Sequence, residues 1–106
     1  MTLVPLLIET KPTADIDTVL YTTGVGETVQ GTIFCMNQNE TNDKISVALV
    51  SNGNVLSDSS YICYETTAYY GQSIYLQQIY IGSLDSIYIK SQNGTSNFIF
   101  TGYQYP

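Results

Sequence analysis

Between Val19 and Val50 the sequence reads as three β-rich runs separated by two turn clusters. Val19-Leu20-Tyr21-Thr22-Thr23 is followed by Gly24-Val25-Gly26-Glu27. Thr28 to Asn37 is followed by Gln38 to Asp43, and Lys44 to Ser51 closes the unit. In the third run Ile45, Val47 and Leu49 fall on one parity and Lys44, Ser46 and Ala48 on the other. Side chains alternate faces along a strand, so this run buries one face of a sheet. The second run sets Val29, Ile33, Cys35 and Asn37 against Thr28, Gln30, Thr32, Phe34 and Met36, which suits a strand partly covered on both faces.

Downstream the same grammar continues. Asn52-Gly53-Asn54 is a turn, and Val55 to Ser60 reads as a surface loop. Strands are expected at about 60–65, 73–78, 86–91 and 97–102, with Ile79 to Ile81 as a further apolar piece. The connections are Thr66 to Gly71, Gly82-Ser83-Leu84-Asp85 and the Asn93-Gly94 hairpin pair. No stretch has a helical period and there is no internal repeat. About seven short strands with frequent turn signals predict an all-β antiparallel sandwich. Ile33, Cys35, Ile45, Val47, Leu49, Ile74, Leu76, Ile87 and Phe98 are the expected core.

Residues 1–18 read as an extended N-terminal arm and 19–106 as the sandwich domain. Pro5 and Pro12 interrupt regular structure, and Leu3, Val4, Leu6, Leu7 and Ile8 are too few for a helix with its own core. This apolar cluster is expected to bind a neighbouring subunit, by lying along it or adding a strand to it. The alternative is an arm folded over its own sandwich. The segment lacks the basic start of a signal peptide, and no stretch reaches the length of a membrane span.

Composition narrows the function. Of 106 residues only 11% are charged, against about a quarter in average proteins. Ten tyrosines accompany that low charge, and tyrosine is enriched at protein interfaces. Filling the two faces of the sandwich is the other use for them. Tyr69, Tyr70, Tyr103 and Tyr105 are the candidate interface aromatics. A net charge of −6, with three lysines and no arginine, argues against nucleic acid and against an anionic membrane surface.

Catalytic equipment is not visible. There is no histidine to serve as base or metal ligand. Cys35 and Cys63 are too few for a structural zinc site and read as two reduced core thiols. Asp15 and Asp17 have the spacing of calcium-loop carboxylates, but no further ligands follow. Gly24-Val25-Gly26 lacks the helix that a phosphate loop needs. Two Asn-x-Thr tripeptides, at Asn39 and Asn93, match the glycosylation acceptor pattern. No metal or cofactor is expected. A carbohydrate platform is a further option, because Tyr61, Tyr64, Tyr69, Tyr70, Tyr75, Tyr80 and Tyr88 cluster in one half of the chain. Strand parity spreads them over both faces and argues against one common surface.

The order of features resembles a family of small tailed-phage virion proteins. The matching pieces are Val19 to Thr23, the glycine turn Gly24 to Glu27, Ile33-Phe34-Cys35-Met36-Asn37, Ile45 to Val50, Ile81-Gly82-Ser83-Leu84-Asp85, and Phe98 to Gly102. Where that family commonly has a proline–alanine–glycine turn, this chain has Thr23-Gly24-Val25-Gly26. The resemblance implies a non-enzymatic structural subunit of a phage particle, assembled in the host cytoplasm. A capsid decoration or cement protein is the leading expectation. A tail, neck, baseplate or fibre subunit is the first alternative, and a carbohydrate-binding host-attachment module the second. The expected partners are other virion proteins, the major capsid protein or tail proteins, and further copies of the chain.

Overall fold

A computed structural model describes residues 3–105. The strands are β1 (Val4–Thr10), β2 (Thr18–Thr22), β3 (Thr28–Asn37), β4 (Asp43–Val50), β5 (Tyr61–Ala68), β6 (Ser73–Ile81), β7 (Ser86–Ser91) and β8 (Ser96–Tyr105). A 3-10 turn, Asp58–Ser60, sits in the β4–β5 connection. Two four-stranded antiparallel sheets form, ordered β1-β8-β3-β6 and β2-β7-β4-β5. The expected antiparallel sandwich is thus present, with eight strands rather than seven.

The inner faces follow the parity read from the sequence. β3 contributes Val29, Ile33 and Cys35, β8 contributes Phe98 and Phe100, and β6 adds Ile79 and Ile81. Opposite them lie Leu20, Ile45, Val47, Ile87 and Ile89. Each side chain of this size removed from water stabilises the fold by roughly 1.5–3 kcal/mol. Leu49, Ile74 and Leu76 are only half-buried against this core. In β4 the opposite parity is covered too. Ala48 is flanked in register by Tyr61 and Tyr88 and is fully buried. Ser46 Oγ accepts the Glu65 N–H at 2.9 Å.

The eighth strand corrects the expected arm. Val4–Thr10 pairs with β8 of the same chain, from Val4↔Gln104 to Thr10↔Phe98. Leu6 and Ile8 alternate inward and pack on the core, while Leu7 points outward and is 64% exposed. The continuous apolar run hid this period of two. Pro5 is tolerated because an edge strand can point a missing N–H away from its neighbour.

One end of the sandwich is tied by two buried polar side chains. Asn37 donates to the carbonyls of Thr41 and Ala68 at 2.9 and 3.0 Å, and its Oδ1 accepts Thr95 Oγ1 at 2.8 Å. Asp43 accepts the N–H groups of Lys44 and Asn93 at 2.9 and 2.8 Å, and the hydroxyls of Ser96, at 2.6 Å, and Ser91. Together they join the β3–β4 connection, the end of β5 and the β7–β8 connection.

Candidate interaction site

The two outer faces differ in chemistry. On the β2-β7-β4-β5 face, Lys90 pairs with Asp15 at 3.4 Å, and Tyr61 donates to Asp17 at 3.4 Å. Exposed Lys44 and Glu65 are nearby, and with Asp15, Ser46, Tyr64 and Lys90 they line a small pocket. Partial burial pulls the Lys90 ammonium down, but Asp15 beside it, with Asp17, wins and holds its pKa above the usual lysine value.

The β1-β8-β3-β6 face carries almost no charge. Register places its outward residues in rows across the strands. Tyr80, Gln30, Tyr103 and Pro5 form one row. Thr32, Thr101 and Leu7 form the next. Tyr75, Phe34, Ile99 and Glu9 form a third, in which the Phe34 and Tyr75 rings meet edge to face at 5.1 Å. Tyr105 lies beyond the first row, opposite Thr28. Glu9 is the one ionisable carboxylate or ammonium in these rows.

A bulge shapes this face. Gly31 pairs with Ile79 and Ile33 with Leu76, so Gln77 and Gln78 together oppose Thr32. Gln78 is held at φ 60°, a left-handed conformation that costs a non-glycine residue free energy. One inserted residue inverts the parity of everything after it. Tyr75 and Tyr80, of opposite parity in sequence, therefore share the outer face. Of the seven tyrosines clustered in sequence, Tyr75 and Tyr80 thus meet on one face against simple parity, beside Tyr103; the seven still share no common surface, because Tyr61, Tyr64 and Tyr88 belong to the other sheet.

Between the bulge and β8 lies a groove of about 550 Å³, lined by Leu3, Gln30, Thr32, Gln77, Gln78, Thr101, Tyr103 and Tyr105. Its floor is backbone. Gly31 and Gly102 oppose each other, and a Cβ on Gly102 would overlap the Gln30 carbonyl oxygen.

The candidate residues named from the sequence are dispersed. Leu3, Val4 and Leu7 are exposed on or beside β1, while Leu6 and Ile8 serve the core. Tyr103 is exposed and Tyr105 half-buried at the groove. Tyr69 and Tyr70 are exposed in the β5–β6 connection, where Tyr70 bridges Asn37. That is the opposite end of β3, about seven residues or some 23 Å away. Sequence reasoning missed Gln30, Gln77, Gln78 and Thr101, which carried no signal without the register.

Cys35 is buried, Cys63 is partly exposed, and both are free thiols. Burial pushes the Cys35 thiol up to about 12. Among the described residues no three histidine, cysteine or acidic side chains cluster to hold a metal ion. No helix among them is long and apolar enough to cross a membrane. Comparison with protein-family models, curated proteins and solved structures finds no match to this chain.

Proposed function

We propose that this chain is a non-enzymatic structural subunit of a phage particle, foremost a capsid decoration or cement protein, and that copies join through β1. The carrying observation concerns the four edge strands. β2, β5 and β6 each pair with a register break, the bulge by which natural sheets blunt an exposed edge. β1 pairs with β8 in unbroken register over seven residues and carries exposed Val4 and Leu7. With the Pro5 nitrogen turned away from β8, the backbone groups of Leu7 and Glu9 face the same free side and are available to a neighbouring strand. A second β1 in antiparallel pairing would join two sheets into one of eight strands. Of the residues first expected in a free arm, Val4 and Leu7 thus keep a proposed partner-binding role from within the fold, while Leu6 and Ile8 lose it to the core. The virion setting rests on the sequence resemblance and on the charge-poor, tyrosine-rich composition.

Sedimentation velocity tests the assembly. The chain should dimerise at tens of micromolar, and Leu7→Lys should be monomeric with an unchanged melting temperature. Two lysines brought opposite each other across the new pair repel, and an edge lysine is a natural guard against pairing. A wild-type chain that stays monomeric, or a variant that dimerises equally well, refutes the β1 interface. Antibody labelling of purified particles tests the setting, with copies expected on the outside of the shell.

A further inference from the structure

We infer that the groove beside the β6 bulge binds a neutral saccharide. The inference is independent of the β1 edge, because strand addition at that edge leaves the outer face of the sheet open.

Four observations carry it. The groove has the volume of a small-ligand site, about 300–1,000 Å³. Its polar lining consists of amides and hydroxyls, from Gln30, Gln77, Gln78, Thr32 and Thr101, and all three glutamines are solvent-exposed. Each amide offers two donors and an acceptor, the complement of a sugar hydroxyl, which needs both. Tyr103 and Tyr105 line the groove, and Tyr80 stands beside Gln30 on the same face. Tyr80 and Tyr103 flank Gln30 across the strands, two strand spacings or about 10 Å apart, and are 62% and 54% exposed. A ring of that kind presents an apolar face to the C–H side of a pyranose and a hydroxyl at its tip. Finally, among the described residues no charged side chain lines the groove. A charged ligand would lose hydration there without a counter-charge, which is unfavourable. The net charge of −6 adds a further bias against anions.

The strained backbone points the same way. A bulge re-aims side chains beside functional sites, and this one sets two consecutive glutamines against the groove at the cost of a left-handed Gln78. Glycine would hold that conformation without strain. A purely structural bulge would therefore gain from glycine at this position.

The experiment is a binding screen of the intact chain against neutral gluco-, galacto-, manno- and N-acetylglucosamine oligosaccharides, with sialylated and sulfated oligosaccharides alongside. Hits are followed by amide chemical shifts and titration. At least one neutral oligosaccharide should bind and shift the amides of Gln30, Gln78, Thr101 and Tyr103. Tyr103→Ala should weaken it tenfold or more. Gln78→Gly should weaken it at least fivefold while melting at the same or a higher temperature, which a merely structural role would not produce. Absence of binding by every neutral oligosaccharide overturns the inference. So does preference for the charged ones, shifts confined to the Tyr69-Tyr70 end, or affinity unchanged in both variants. Dimerisation through β1 is scored separately, so either idea can fail alone.

Discussion

Replacing Asp43 should expose how much of the fold depends on one buried carboxylate. Asp43 is 1% exposed and accepts four hydrogen bonds, from Lys44 N, Asn93 N, Ser96 Oγ and Ser91 Oγ. Hydrogen bonds to a charged group contribute about 1.5–3 kcal/mol each, and an orphaned buried donor costs about 1–3 kcal/mol. These terms are not additive within one network, so Asp43→Ala should cost about 3–5 kcal/mol, the usual loss when one partner of a buried charged network is removed. Asp43→Asn should cost less, because the serine hydroxyls can turn and accept from its amide. The pH dependence separates the two causes. Burial pushes the Asp43 carboxyl up, but hydrogen bonds from Ser91, Ser96, Asn93 and Lys44 outweigh it, and its pKa lies below the ordinary 3.8. A folded-state pKa below the unfolded one means stability that is fully present above the unfolded value. It is lost as pH falls through the folded value. Urea unfolding followed by circular dichroism between pH 7 and pH 2.5 reads this out. The wild type should lose more stability below about pH 4 than Asp43→Asn, which has no carboxyl to protonate there. A loss under about 1 kcal/mol for Asp43→Ala, or parallel acid limbs for wild type and Asp43→Asn, would refute the reasoning.

Two further outcomes follow from burial. Leu49→Ala should cost about 1–2.5 kcal/mol, below the full range for a buried leucine, because Leu49 is half-buried; Phe98→Ala, at the centre, should cost about 3–5 kcal/mol, and both are checked by equilibrium unfolding. At pH 8 an alkylating reagent should modify Cys63 quickly and Cys35 only after unfolding, since the Cys35 thiol is buried and pushed up to about 12; mass spectrometry of the labelled peptides decides it.

The sandwich was legible in the sequence because its signals are local. Alternation in Lys44–Val50 and Asn97–Gly102, together with the turn residues between runs, gave seven of the eight strands. Leu49, Ile74 and Leu76 sit on the predicted inner parity, yet fall short of full burial, since depth depends on what the opposite sheet supplies. β1 was missed for a related reason. Leu6, Leu7 and Ile8 are all apolar, so the run hides which of them faces inward. Only pairing with Gly102, Thr101 and Phe100 separates Leu6 and Ile8 from Leu7. Asp43 and Asn37 read as turn-adjacent polar residues, and their burial depends on serine partners 48 and 53 positions away and a backbone partner 31 positions away.

The groove was illegible because of one residue. Parity counting assumes an unbroken strand, and the extra residue at Gln77-Gln78 breaks it. Before the bulge Tyr75 faces outward at odd parity; after it Tyr80 faces outward at even parity. The same insertion interrupts β6 as an edge, which discourages pairing with another chain there. Edge protection and the gathering of Tyr80, Gln77 and Gln78 onto one face are therefore consequences of a single backbone event. Their energetic signatures differ. Protection requires only the extra residue and the local twist, and glycine at 78 would provide both without strain. A non-glycine residue at φ 60° carries strain, as Asp15, Glu65 and Leu84 also do, and a contact made by the Gln78 side chain would offset it. Gln78 lines the groove, so on the proposed saccharide reading the offsetting contact is with the ligand, and Gln78→Gly separates that role from protection of the edge.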